Sequence, residues 1–325
     1  MIDLSKLQPT KISRDLKGKY MLFYGLPKSG KTSLAAKFPK SLLLAFEKGY
    51  NALPGIMAQD IIKWTDMREV LRELRKPAIQ QLFDTIIVDT ASIAWDKCSE
   101  YICTQNGVKA LTDIPWGKGA KLCAKEYENT FREITLLGYG LVFTAHAEEK
   151  TPFGGDDSQT YIAPMLDKRP YAIINGMVDI IGCIDTSSEG ERYLQLRATP
   201  KMFAGCRFQY MPDRLPLDYD KFVEALASAI EQQGEASGGM IVDERAAPEE
   251  AAPKRPFNEV MDEAKDLWTK LLAKDDSDEM FEKMQQIIED EFGSRIKLSQ
   301  ATPAQQEMLE LVNLRFSDLL DGLSF

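Results

Sequence analysis

Between residues 20 and about 200 the chain alternates short apolar runs with stretches in which apolar residues recur at helical spacing. That alternation is the pattern of an α/β fold with a mainly parallel central sheet flanked by helices. The runs predict strands over residues 20–24, 41–46, 85–88, 141–145, 178–184 and 193–197, and the periodic stretches predict helices over 31–38, 67–74, 91–105 and 119–137. The first helix should stop at Phe38, because the residue before Pro39 is pushed out of the helical region. From Gln232 to Pro256 the sequence turns rich in Gly, Ala, Pro and Glu. Such a stretch buries too little apolar surface to offset its ordering entropy and reads as a flexible linker. Past it, Val260, Ala264, Leu267, Trp268, Leu271 and Leu272 fall at helical spacing, so residues 257–325 should form a small helical module. The expected organisation is a basic lead-in (1–17), a core (18–231), the linker (232–256) and this module.

A length of 325 residues at 44% hydrophobic allows one substantial core and a smaller appendage. The formal charge of −10 argues at first sight against a nucleic-acid partner. Residues 1–234, however, hold 30 basic and 29 acidic side chains, whereas residues 235–325 hold 10 and 21. The acidity belongs to the C-terminal quarter and leaves the core able to carry a local basic groove. Cys98, Cys103, Cys123, Cys183 and Cys206 form no C-x-x-C pair, and His146 is the single histidine, so no common zinc set can be completed and buried free thiols are expected. With no apolar leader and no run of about 18 apolar residues, the expected setting is reducing and cytoplasmic, without membrane contact.

The chemistry concentrates in GLPKSGKT, between the apolar run YMLFY and the helical TSLAAKF. Gly25, Gly30, Lys31 and Thr32 match G-x-x-x-x-G-K-[ST], a phosphate loop in which glycines let the backbone turn its N–H groups toward phosphates. The span Gly25, Leu26, Pro27, Lys28, Ser29, Gly30, Lys31, Thr32 and Ser33 should cradle ATP. Lys31 would reach the β- and γ-phosphates and the Thr32 hydroxyl would serve Mg²⁺. The run DTIIVDTAS ends a second apolar strand in Asp89, a carboxylate placed to hold the metal's water shell, or else an ordinary strand-end aspartate.

These residues resemble the RecA-like ATPases, and among them the phage-encoded RecA-core proteins associated with single-strand annealing. The resemblance covers residues 18 to 210 or so and rests on GLPKSGKTSLAAKFPKSLLLAFEKG, IIVDTASIAW and LVFTAHAEEK. It implies that Glu47, ending the strand after the phosphate-loop helix, polarises the attacking water, although a glutamate beside Lys48 and Gly49 also suits a plain surface turn. It places His146 at the strand end that senses the γ-phosphate, where RecA itself has a glutamine. The resemblance further implies two DNA-binding loops. Residues 109–125 hold Trp116, Lys118 and Lys121, and residues 150–171 hold Phe153, Lys168 and Arg169, the cation-plus-aromatic pairing that single-stranded nucleic acid uses. Acidic neighbours such as Glu148, Glu149, Asp156 and Asp157 leave an ordinary charged loop open.

RecA-like filaments also send cations from the end of the core into the adjacent subunit's ATP site, which points to Lys201 and then Arg207 here, or to exposed strand-end cations of no special role. The lead-in with Lys6, Lys11, Arg14, Lys17 and Lys19 is either an arm for DNA or a neighbouring subunit, or a solvated tail. The acidic module either recruits a single-strand-binding or replication protein, competes for the basic groove, or solubilises. The expected protein is an oligomeric, DNA-stimulated ATPase that binds single-stranded DNA and promotes annealing or strand exchange. A helicase loader or protein-remodelling ATPase is the alternative, and a small-molecule kinase a weaker third for want of an arginine-rich lid.

Overall fold

The computed structural model describes residues 11–151, 160–242 and 255–323. The first unit opens with β1 (Lys11–Ser13), β2 (Tyr20–Gly25), α1 (Lys31–Ala35), β3 (Ser41–Ala45) and β4 (Met57–Asp60). There follow α2 (Trp64–Leu74), α3 (Pro77–Leu82), β5 (Thr85–Asp89), α4 (Ala91–Gln105), α5 (Lys118–Leu136) and β6 (Gly140–Lys150). Next come β7 (Tyr161–Pro164), α6 (Lys168–Met177), β8 (Ile180–Thr186), β9 (Arg192–Gln195) and β10 (Gly205–Cys206). The unit ends with β11 (Arg214–Pro216), α7 (Tyr219–Ser237) and β12 (Met240–Val242).

The sheet runs in the order β11-β9-β8-β2-β6-β5-β3-β4, and β8, β2, β6, β5, β3 and β4 are mutually parallel. The apolar runs are continuous because both faces are covered. Along β2, Leu22 and Tyr24 enter one core with α2, α4 and α5, while Met21 and Phe23 enter the other with α1 and α7. The parallel core anticipated from the alternation is therefore present. β4, β7, β10 and β11 are additions that short, half-exposed sequences did not announce. The first helix is shorter than its periodicity implied: it ends at Ala35, and the N–H groups of Lys37 and Phe38 turn back to Leu34 and Ala35 in tighter i,i+3 bonds ahead of Pro39.

Two expectations about the ends of the core change. Of the basic lead-in, Arg14 pairs with Glu231 at 3.0 Å, Lys17 pairs with Asp84 at 3.1 Å, and Lys19 Nζ donates to the Ser13 carbonyl at 2.8 Å. These cations hold β1 to its own unit rather than forming an arm; residues 1–10 lie outside the described residues. The stretch assigned to a linker begins as structure: α7 runs on to Ser237 and β12 pairs in parallel with β1, its Met240 opposite Lys11. Helix and strand survive the Gly-rich composition because β1 supplies ladder bonds and Ile241 packs against the core. The division between units falls after Pro248.

The second unit contains α8 (Phe257–Lys274), α9 (Asp278–Phe292) and α10 (Gln306–Gly322). Leu271, Met284, Ile288, Val312 and Phe316 are fully buried in a core of its own. No helix among the described residues is long and apolar enough to cross a membrane. The cysteines are free thiols, four of them buried.

Candidate functional site

The phosphate loop leaves β2 at Gly25, where a Cβ would lie 2.4 Å from the Ile184 carbonyl oxygen, so only glycine fits between β2 and β8. At Gly30 φ is +109°, a conformation open to glycine, and a Cβ there would touch Leu217 at 3.0 Å and Arg192 at 3.2 Å. Between them the loop curls around Lys31, whose buried ammonium donates to the Gly25 and Leu26 carbonyls at 3.0 and 2.8 Å. Burial pushes the Lys31 ammonium below its ordinary value, with the Asp89 and Glu47 carboxylates pulling the other way. Leu26 and Lys28 are exposed on the loop, and Pro27 and Ser33 line the cleft it borders.

β6 separates β2 from β5, and β3 follows β5. Asp89 ends β5, Glu47 follows β3, and His146 stands where β6 stops pairing with β2 and runs on, so the three arrive from successive strands on one flank of the loop. Asp89 is buried; its Oδ2 accepts from the Thr32 hydroxyl at 3.0 Å, and its Oδ1 accepts from the Thr144 hydroxyl. Burial raises the Asp89 carboxyl above its ordinary value, and the Thr144 and Thr32 hydrogen bonds offset part of that rise. Glu47 is placed by its backbone: the Asp89 carbonyl accepts from both Phe46 N–H and Glu47 N–H, at 2.8 and 3.0 Å. Its Oε2 accepts from His146 Nε2 at 3.2 Å, while His146 Nδ1 is buried without a hydrogen-bond partner. Lys31, Thr32, Glu47, Asp89, His146 and Arg192 all line one cleft of about 470 Å³.

The cleft suits a triphosphate with a hard cation. The glycine cradle curls around a buried lysine, and His146, whose Nδ1 has no hydrogen-bond partner, lines the same cleft. No group of three His, Cys, Asp or Glu side chains that could cage a metal exists among the described residues. Thr32 and Asp89 instead form the sparse donor set that suits Mg²⁺, which keeps water and takes phosphate oxygens.

Other sequence-predicted residues are dispersed. Trp116 is 89% exposed in a turn (Pro115–Gly117), at φ +63°. Lys118 and Lys121 are exposed on the first turn of α5 rather than in a loop. Lys168 and Arg169 likewise open α6, and Phe153 lies outside the described residues. α4 and α5 are antiparallel, with Tyr127 Oη donating to the Ala91 carbonyl at 3.0 Å and Cys98 Sγ to the Cys123 carbonyl at 3.6 Å. Tyr127 thus sits level with the end of β5, and at 1.5 Å per residue the Trp116 turn stands about 13 Å further out along α5, beyond that edge of the sheet. The β6–β7 hairpin leaves the same edge, since β6 pairs with β2 only as far as His146 and then pairs with β7 from Ala147 to Lys150.

Lys201 is exposed in a turn whose carbonyl accepts from Ile162 of β7 at 2.8 Å. Arg207 binds Asp179 and the Gly176 carbonyl, both at 3.1 Å, beside the start of β8, and its side chain is exposed there. An ion pair within its own chain holds it there. Sequence reasoning missed Thr144, buried behind Asp89, and Arg192, which lines the cleft. Thr144 carried a legible signal, a lone hydroxyl inside the apolar run LVFTA. Arg192 carried none, because its position depends on β9 folding back beside β8.

A glycine-curled loop enclosing a lysine, a buried strand-end aspartate holding the loop threonine, and a glutamate beside them define a P-loop nucleoside-triphosphatase site. A family model described as an AAA domain matches residues 17–208, and the chain belongs to that family. At this level it is the nucleotide-binding, RecA-like P-loop ATPase that the motifs suggested. Its relatives include the SPbeta prophage-derived uncharacterized protein YorG of Bacillus subtilis (strain 168), 28% identical over 333 residues, which span 98% of this chain and 99% of that one.

Proposed function

We propose that the protein hydrolyses ATP in an oligomer, uses the nucleotide state to grip single-stranded DNA, and promotes annealing or strand exchange in a phage setting. One observation carries the coupling. His146, which holds Glu47 in the cleft, lies on the same strand that continues into the β6–β7 hairpin. A change of partner at His146 is transmitted along four residues of continuous backbone to Lys150. The exposed Trp116 with Lys118 and Lys121 supports the DNA part, since stacking and backbone neutralisation need that pairing at an accessible edge. The prophage origin in the relative's name supports the setting, and a bacterial host's cytoplasm is the corresponding location.

In this reading Lys31 turns from the loop carbonyls to the β- and γ-phosphates. Thr32 and Asp89 would hold Mg²⁺, which would supply positive charge to the phosphate oxygens. Glu47 orients water at the γ-phosphorus and draws off its proton as the β–γ bond breaks and ADP leaves. His146 exchanges Glu47 Oε2 for a γ-phosphate oxygen, and Lys201 reaches a neighbouring subunit's nucleotide.

The test is ATP turnover with and without single-stranded DNA across a salt series, with Lys31→Ala as control. Stimulation with a steep salt dependence is expected. DNA that neither binds nor changes turnover would refute the DNA reading and leave the ATPase standing. A helicase-loading or protein-remodelling role is favoured by the second unit, where Phe281 is 42% exposed against Trp268, ring centroids 5.6 Å apart. Deleting residues 249–325 separates the two: a lost protein partner with DNA binding intact points to the loader.

A further inference from the structure

Glu47, Asp89 and His146 reach the phosphate loop from one flank of β2. The other flank also sends a charged side chain over the loop. Arg192 opens β9, two strands from β2 on the side of β8, with Arg192 opposite Thr186 in the antiparallel pair. Its carbonyl accepts from Leu217 N–H at 3.0 Å, so its backbone is held by neighbours on both sides. The side chain lies across the loop: Nη1 is 3.5 Å from the Ser29 carbonyl oxygen and 3.2 Å from where a Gly30 Cβ would stand. Arg192 lines the phosphate cleft and also the adjoining cleft of about 160 Å³ shared with Ser33, Leu217 and Tyr219. Glu189 and Glu191 share its turn, yet no ion pair to Arg192 exists among the described residues. A guanidinium carried on a paired strand, without a carboxylate partner and beside phosphate-binding backbone, is suited to grip phosphate in a bidentate way. Lys31 and one divalent ion do not balance a triphosphate, and the cleft's carboxylates add further negative charge.

We infer that Arg192 is a nucleotide-contacting cation acting within its own chain, closing over the phosphate loop on the flank opposite Glu47 and His146. The inference rests on the nucleotide-binding reading of the cleft and is independent of any role in DNA handling. Binding of Mg-ATP and of inorganic tripolyphosphate is measured by calorimetry on the full chain for wild type, Arg192→Gln, Arg192→Lys and Lys31→Ala. Thermal melting serves as the folding control. Loss of one charge-assisted contact predicts that Arg192→Gln weakens both ligands by roughly 10- to 100-fold, with Arg192→Lys in between and melting unchanged. The loss should not vary with protein concentration, since the arginine and the loop belong to one subunit.

Unchanged affinity of Arg192→Gln beside a disabled Lys31→Ala overturns the inference while the phosphate loop stands. A concentration-dependent loss also overturns it, by placing the arginine on a neighbour's nucleotide. Loss for ATP with tripolyphosphate binding unaltered overturns it in favour of a ribose or base contact. If wild type itself binds neither ligand, the nucleotide reading fails, and this inference with it.

Discussion

Replacing Thr144 by valine keeps the shape of a fully buried strand residue and removes one hydroxyl, the donor to Asp89 Oδ1. No water can take its place at a side chain with no exposed surface, and valine suits a strand at least as well as threonine. The change therefore removes that bond together with the same hydroxyl's longer 3.4 Å contact to the Val88 carbonyl. A bond to a charged acceptor is worth about 1.5–3 kcal/mol, and leaving the buried oxygen unpaired puts the loss in that range, about 2 kcal/mol. The first unit spans Met1–Pro248. At ~2.1 cal/mol/K per residue its unfolding entropy is about 0.5 kcal/mol/K, so its melting temperature should fall by about 4 °C.

The pH dependence has a defined sign. Burial already raises Asp89, and the Thr144 hydroxyl is the first of the groups that hold it down. Removing that hydroxyl raises the carboxyl further, so protonation favours the folded variant. The deficit should be full at pH values where the carboxylate is ionised and should shrink as pH falls through its raised value. The acid limb of ATP turnover should move to higher pH for the same reason. Scanning calorimetry of the nucleotide-free protein between neutral and mildly acid pH, with turnover over the same range, checks both effects. A variant as stable as wild type at neutral pH, with an unmoved acid limb, would show that Thr144 does not hold Asp89.

Three further outcomes are expected. Glu47→Gln should retain Mg-ATP binding and lower turnover by about 10²- to 10⁴-fold, the scale of a lost general base, in a coupled phosphate-release assay; turnover near wild type would assign Glu47 to the surface. Trp116→Ala should leave the melting temperature alone, because the ring is 89% exposed. It should weaken single-stranded DNA by about 1–3 kcal/mol, the value of one base stack, in an anisotropy titration. Leu271→Ala removes a fully buried side chain of the second unit and should destabilise it by about 2–5 kcal/mol with ATP turnover intact, read by calorimetry and rate together.

What the sequence determined by itself was whatever depends on local pattern. Strands buried on both faces must be apolar throughout, so β2, β5 and β6 were legible, and the G-x-x-x-x-G-K-T spacing is local by nature, so Gly25, Gly30, Lys31 and Thr32 were too. Asp89 and Glu47 were also legible as strand ends, and His146 as the end of an apolar run, although β6 continues past it to Lys150. The tertiary structure alone decided that the three converge, because that requires β6 to lie between β2 and β5 and the Asp89 carbonyl to bind two successive N–H groups of the next strand. It likewise turned the composition of residues 232–242 from linker to helix and strand, by supplying β1 as a pairing partner. Arg192 shows the limit most clearly. Its nearest phosphate-loop neighbour is 163 residues away in sequence, and no periodicity or motif encodes a contact made through the pairing of β2, β8 and β9.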